Sequence, residues 1–328
     1  MSLTNNAGAL NTLWKVIESY EQNPEPLFKQ LGLDLKLAED PSARIPYAKV
    51  ERLWQEAIAL LADPNIGFKA AELWHPSSAG ALSYAWLTSA SLRDAFGRLV
   101  RYIRVTTDAI ECHTEESKHN FSILHAFTAD VAYIPELVDF RLATIMNLCR
   151  KNYGPSLNPV TVNLSHSAPK DSGAYFAFFR CPINFNSPQD SLTFTKKVID
   201  KRLGSGNPML AQLHDQFMIK YLANLDADNV IERIKSIIIE QLPSGNVTDN
   251  SVANALNMSR RTIHRRLQQE ETTFRVILNE VRSELADQYI QDSSLNLNEI
   301  SYLLGFSEMS SFSRAFKRWT GDSPSSYR

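Results

Sequence analysis

Residues 251–319 hold the same helix–turn–helix pattern twice, and that repeat constrains the fold more than any other feature of the chain. The first copy spans Ser251–Leu267 and the second Leu297–Trp319. In each, a short helix of apolar periodicity leads through a tight turn into a second helix whose outer side is polar or basic. Such a pair presents its second helix for insertion into the major groove of DNA. Between the copies, Phe274–Asp292 has the length and periodicity of a rigid connecting helix. It would hold the two readers about one DNA turn (~34 Å) apart on one face of the duplex.

In the first copy Ser259 sits where an N-cap belongs, because its hydroxyl can accept from a free first-turn amide. Counting ~100° per residue from there, Ile263 and Leu267 share an inward face. Arg261, Thr262, Arg265 and, on the flank, His264 are left to reach base edges. Arginine matches guanine O6/N7, and a threonine methyl matches the thymine methyl. Arg260 and Arg266 lie nearer the edges and are assigned to phosphate. In the second copy Phe312, Ala315, Phe316 and Trp319 form the buried stripe. Ser310, Ser313, Arg314 and Lys317 point away, with Met309 at the leading end. Gly305 supplies the permissive backbone that the turn requires.

Charge agrees with selective rather than indiscriminate binding of a polyanion. The net charge is −2, and residues 230–328 hold as many acidic as basic side chains. Four arginines nevertheless fall within one helix, which orients the domain on DNA without making the whole chain adhesive. No run of apolar residues is long enough to span a bilayer, and the start lacks the pattern of a secretory signal, so the expected location is cytoplasmic. Cys112, Cys149 and Cys181 are an odd count at wide spacing. They fit neither a disulfide framework nor a zinc site and are expected as buried free thiols.

At 328 residues the chain has room for a second domain with its own core ahead of the repeat. Helices are expected over residues 1–20 (Leu10, Leu13, Trp14, Ile17 and Tyr20 on one side), Tyr47–Leu61 and Ser89–Val105. From Ala109 the period changes to two, and Cys112, Thr114, Phe121, Ile123, His125 and Phe127 predict paired strands across a Glu115–Asn120 turn. Helix returns over Ile134–Lys151, with Pro135 placed in its first turn. Strand-like stretches at Val160–His166, Ile183–Phe185 and Ser191–Phe194 surround an aromatic run at Tyr175–Phe179. In the helix Leu210–Leu225 an apolar stripe of Leu210, Leu213, Phe217, Tyr221 and Leu225 marks either a dimer contact or packing within its own domain. Asp226–Asn229 reads as a linker. The expected architecture is an α+β domain over residues 1–226, then an all-α domain over 230–328 with two helix-turn-helix units joined by a long helix.

The amino-terminal half shows no Gly-rich phosphate loop, nucleophile elbow or zinc-protease motif. His113, His119 and His125 are expected as solvated or hydrogen-bonded rather than as metal ligands, and no catalytic constellation or cofactor is indicated. Ligand pockets are mostly apolar with a few convergent polar groups. Trp86, His125, Tyr175 and Phe178 are therefore the first candidates for one, with ordinary core packing as the alternative.

From Val252 to Arg328 the chain closely resembles the AraC/XylS family of bacterial transcriptional regulators. The matching residues include Ser259, Arg265-Arg266-Leu267, Phe274, Arg282, Ala286, Ile300, Gly305-Phe306-Ser307, Phe312 through Gly321, Ser323-Pro324 and Tyr327-Arg328. Two positions depart: Glu271 stands where the family usually has Gly, and Ser301 where it usually has Ala. Glu271 is expected to alter its turn, since positive φ disfavours a residue with a Cβ. Residues 25–225 resemble the non-cupin effector-binding and dimerisation domain of one branch of that family. The match rests on Leu31-Gly32-Leu33-Asp34, Arg44-Ile45-Pro46, Asp63-Pro64, Gly67-Phe68, Gly80 through Tyr84, Ser89 through Leu92, Arg101-Tyr102, His166, Pro169, Tyr175, Phe178-Phe179, Cys181-Pro182 and Phe185. The resemblance implies an operator-binding activator that acts as a homodimer, answers to a small-molecule effector and engages RNA polymerase. It does not make the effector a sugar. A repressing or constitutive regulator, or an N-terminal enzyme fused to a DNA-binding module, would leave the same sequence features.

Overall fold

The structure, a computed structural model, describes residues 3–128, 131–225, 230–291 and 295–327. They divide into two compact units, Met1–Asp215 and Gln216–Arg328. The expected linker Asp226–Asn229 lies outside the described residues, as does Asp292 at the end of the expected connecting helix.

The first unit is α+β. It opens with a strand where helix was expected: β1 (Thr4–Asn6) pairs antiparallel with β2 (Arg44–Pro46). Only at Ala9 does α1 (Ala9–Ser19) begin, burying Leu10, Leu13, Val16 and Ile17. α2 (Glu25–Gln30), α3 (Tyr47–Leu61) and α4 (Ile66–Leu73) follow. Leu53, Trp54, Ile66 and Ala70 of the last two join the core that α1 closes. α5 (Ala81–Leu87) leads to α6 (Leu92–Tyr102), which starts three residues later than its periodicity suggests because Ser91 caps it, accepting from the Asp94 amide.

A mixed five-stranded sheet forms the other half of this unit, in the order β3 (Ile110–Glu116), β4 (Asn120–Phe127), β7 (Asp190–Thr195), β5 (Thr161–Asn163), β6 (Ile183–Asn184). β3 and β4 make the predicted hairpin, with Cys112 opposite His125. β4 then pairs antiparallel with β7, and β7 with β5. β5 runs parallel to β6. Between β5 and β6 the aromatic run becomes a short helix, α8 (Gly173–Phe179), and β7 continues into α9 (Lys196–Ile199). The long helix α7 (Pro135–Tyr153) packs against α4, α5, α6 and β7. Gly67 lets α4 approach it closely, because a Cβ there would collide with the Glu136 carbonyl.

The division between the units falls within α10 (Pro208–Leu225). On it Leu210, Leu213 and Phe217 are 42, 52 and 53% exposed, while Ala211, Met218 and Tyr221 are buried. The expected stripe is therefore split between solvent and protein.

The second unit is helical: α11 (Val230–Gln241), α12 (Asp249–Ala255), α13 (Arg260–Gln269), α14 (Phe274–Gln291), α15 (Leu297–Leu303), α16 (Met309–Thr320) and α17 (Pro324–Tyr327). One core runs through it, joining Ile234 and Ile238 to Ile263 and Leu267, to Val281 and Leu285, and to Ile300, Phe312 and Phe316. Both helix-turn-helix copies are thus held by the same apolar cluster.

Candidate DNA-reading helices and interior cavity

The two copies share their local chemistry. Thr248 caps α12 in a reciprocal box with Ser251, and Asn296 caps α15 in the same way with Glu299. The turn of the first copy passes through Asn257 at φ +52°, that of the second through Gly305 at φ +69°. Asparagine and glycine are the residues that take this conformation at least cost. In both turns the residue after the left-handed position donates its amide back into the first helix, Met258 to Ala253 and Phe306 to Ser301. A side chain at Gly305 would lie 2.6 Å from the Leu242 carbonyl oxygen, so the turn that follows α11 closes over this one.

Aligned on their caps, Ser259 and Glu308, the second helices place Ile263 with Phe312 and Leu267 with Phe316, all buried. The same alignment puts Arg265 level with Arg314, and both are exposed. Ser259 accepts from the Thr262 amide, as an N-cap should. Arg261 and Arg266 are exposed and Thr262 half-buried, its hydroxyl 2.8 Å from that of Ser259. Arg260 and His264 are also exposed, but both reach back to α12, to Asp249.

Ser310 and Lys317 are exposed on α16, Ser310 donating to Glu308 at 3.1 Å, while Ser313 is half-buried. Met309 is placed differently from expectation. It packs against the core, because residues 309, 312 and 316 fall on one stripe of the helix. Arg275 and Arg318, to which sequence reasoning gave no DNA role, line one surface groove with Arg282, Arg314 and Phe306. Of these, Arg282 is committed to structure. Its Nε donates to the Leu304 carbonyl at 2.9 Å, its Nη2 to the Gly305 carbonyl at 3.0 Å, and the guanidinium stacks on Phe306.

In the first unit an interior cavity of about 160 Å³ opens among β1, α1, α3, α5, α6, β3, β4 and α7. Of the four candidates, Trp86 and His125 line it. Tyr175 and Phe178 do not. Tyr175 donates its hydroxyl to the buried Asp139, which also receives His166 at 3.3 Å. Phe178 packs on Phe68 beside a separate surface depression with Tyr20, Asp63 and Lys69. Burial drives the His125 imidazole well below its ordinary value, with the charge of Arg141 adding to the effect, so the ring is neutral. His113, in contrast, is exposed and lies 3.4 Å from Glu111. Cys112 and Cys149 are buried thiols and Cys181 is half-buried. Among the described residues no group of His, Cys, Asp and Glu is arranged to hold a metal ion, and no helix is long and apolar enough to cross a membrane.

Residues 22–203 match the family described as the arabinose-binding domain of AraC transcription regulator, N-terminal, and residues 252–328 match a helix-turn-helix domain. The chain belongs to the AraC family of transcription regulators. The regulator is 27% identical over 320 residues to the ornithine utilization regulator of Pseudomonas aeruginosa, a match covering 96% of this chain and 94% of that one. It is 25% identical to the regulator VqsM of the same species, over 90% of this chain and 93% of that one. The crystal structure of the transcriptional regulator CdpR from Pseudomonas aeruginosa shares the fold, with a TM-score of 0.50, 19% identity and coverage of 96 and 97% of the two chains.

This AraC-family regulator therefore couples an α+β domain of effector-binding type to a helix-turn-helix DNA-binding domain. The residue that sequence reasoning missed in its cavity is Arg141. A signal was present: along α7 it falls at four-residue spacing between Leu137 and Ile145, a cation within an otherwise apolar stripe.

Proposed function

We propose that the regulator reads operator DNA with the outer faces of α13 and α16. Arg261, Thr262, His264, Arg265, Ser310, Ser313, Arg314 and Lys317 are assigned to bases, and Arg260 and Arg266 to phosphate. Arg275 and Arg318 join the phosphate set. The observation that carries this reading is the pair Arg265 and Arg314, exposed at equivalent positions of two recognition helices on one core.

The amino-terminal domain, residues 1–226, acts as the sensor, and residues 230–328 as the reader. A small molecule in the 160 Å³ cavity favours one arrangement of the sensor, and promoter activity follows that population. The protein works in the cytoplasm as a homodimer, activates transcription through RNA polymerase and catalyses no reaction of its own. The exposed Leu210, Leu213 and Phe217 of α10 supply the dimer contact. No amino-acid effector is carried over from the relative named for ornithine utilization, because no Asp or Glu among the described residues lines the cavity to receive an ammonium group.

The test uses the full-length protein and a cavity-filling variant, Ser83→Phe, in genomic DNA-binding and reporter assays with and without a cell metabolite extract. Wild type should bind recurrent sites and respond to the extract, while the variant binds them without responding. Extract-independent behaviour of both proteins would overturn the sensor, and loss of site preference at moderate salt would overturn the reader.

A further inference from the structure

The interior cavity contains more unsatisfied polarity than a packing void should. Thr12, Trp86, Arg141 and Thr144 each contribute a buried nitrogen or oxygen without a hydrogen-bond partner among the described residues, and His125 contributes both ring nitrogens. Native interiors rarely leave such groups unmade, since each costs on the order of 1–3 kcal/mol. Their concentration around one apolar space marks a place built for a polar guest.

Arg141 decides the sign of that guest. Its guanidinium is enclosed by protein, with Nη2 donating to the Tyr47 hydroxyl at 3.1 Å and the plane lying 5.1 Å from the Phe127 ring centroid. Nη1 has no acceptor. Among the described residues no Asp or Glu lines the cavity. Arginine does not shed its proton in a protein, so the charge persists where it is most expensive. Burial lowers the Arg141 pKa and the neighbouring Tyr47 and Cys112 act against that fall, but neither supplies a carboxylate.

We propose that the cavity binds a monocarboxylate with a short apolar body, its carboxylate on Arg141 and its hydrocarbon against Trp54, Trp86 and Leu148. One uncompensated guanidinium balances one negative charge, which favours a carboxylate over a phosphate dianion. The neutral imidazole of His125 and the Thr144 hydroxyl can donate to the remaining oxygen lone pairs. The space bounds the body: an apolar cavity of about 150 Å³ holds one benzene ring, so an acid of a few carbons is the right size. This inference rests on the sensor reading above and names its ligand class.

The experiment is calorimetric binding to the full-length protein with three six-carbon probes that differ in head group, hexanoate, hexanamide and hexylamine, and with butanoate and octanoate to set the length. Hexanoate should bind and raise the melting temperature, while the amide and the amine bind roughly 10- to 100-fold more weakly, the worth of one charge-assisted pair. Arg141→Met should lose that preference while melting no lower than wild type without ligand, because it removes an unpaired buried charge. Arg141→Lys, which keeps the charge without the fork, should retain weakened hexanoate binding. Equal binding of hexanoate and hexanamide, undiminished binding by Arg141→Met, or no binding by any acid of the series overturns the carboxylate assignment. If the amine or amide binds best and Ser83→Phe abolishes it, the sensor cavity stands and only its ligand class is wrong.

Discussion

The Asp249 carboxylate lies 2.6 Å from the Nε of Arg260 and so ties the first turn of α12 to the first turn of the recognition helix α13. The same oxygen receives His264 at 2.9 Å. His264 above all, with Arg260 adding to it, holds the Asp249 carboxyl below the usual carboxylate range against the opposing effect of burial. A depressed folded value means that the contribution to stability is present above the unfolded pKa of about 4 and is lost as pH falls through the folded one. At neutral pH the latch is therefore formed, and it withholds a cation assigned to phosphate. Asp249→Asn should tighten DNA binding at low salt and steepen the log–log salt dependence by about one phosphate equivalent. An unchanged slope in a salt titration would remove Arg260 from the phosphate set.

Arg265 and Arg314 occupy the same position on α13 and α16, and alanine at either should act on sequence preference. Each substitution should cost roughly 1–3 kcal/mol on the true operator and relax the base read at one position. Arg266→Ala should weaken binding to all DNA about equally. Competition assays with single-base operator variants separate the two behaviours, and identical profiles for all three variants would show that the face assignment is wrong.

Two positive-φ turn residues should respond in opposite directions to changes in side chain. Gly305 sits at φ +69° with the Leu242 carbonyl closed over it, so Gly305→Ala combines strain with a clash and should cost about 2–4 kcal/mol. Glu271 keeps the left-handed turn after α13 at φ +53°, so the departure from the family's glycine strains this turn without abolishing it. Glu271→Gly should therefore stabilise the second unit by about 1 kcal/mol. Chemical denaturation of the full-length protein checks both signs.

In the first unit Arg98 and Asp215 form a half-enclosed pair, with Nε 3.0 and 3.1 Å from the two carboxylate oxygens and Nη1 bonded to Ser89. Burial raises the Asp215 carboxyl despite the arginine beside it. Arg98→Met leaves that carboxyl unpaired and should cost about 3–5 kcal/mol at neutral pH. A folded pKa raised above the unfolded value of about 4 means stability that is present at low pH and lost as pH rises. The deficit of Arg98→Met should accordingly shrink between pH 7 and pH 5 in thermal melts. A pH-independent deficit would locate the loss in packing instead.

The reader was legible in the sequence because its determinants are local. Caps such as Ser259, the stripe Ile263–Leu267 and the turn at Gly305 lie within a few residues of what they organise. α3 was legible at both ends for the same reason, whereas β1 was not: three residues become a strand only by pairing with Arg44–Pro46, some forty positions away. Met309, at the leading end of α16, shares the apolar stripe of Phe312 and Phe316, as its spacing to them implies. The cavity was half legible. Trp86 and His125 are aromatic and drew attention, but the charge that lines the cavity with them is that of Arg141, brought there by tertiary packing of α5, β4 and α7. Tyr175 looked equivalent and instead satisfies Asp139.

The most direct measurement is selection of binding sites from random duplex DNA by the full-length regulator, repeated with Arg265→Ala and Arg314→Ala. The account predicts a site with two information-rich blocks centred about 10 base pairs apart, one turn of DNA. Each substitution should erase preference in a different block. A single block, or loss of the same block in both variants, would contradict the reading of DNA by two equivalent helices.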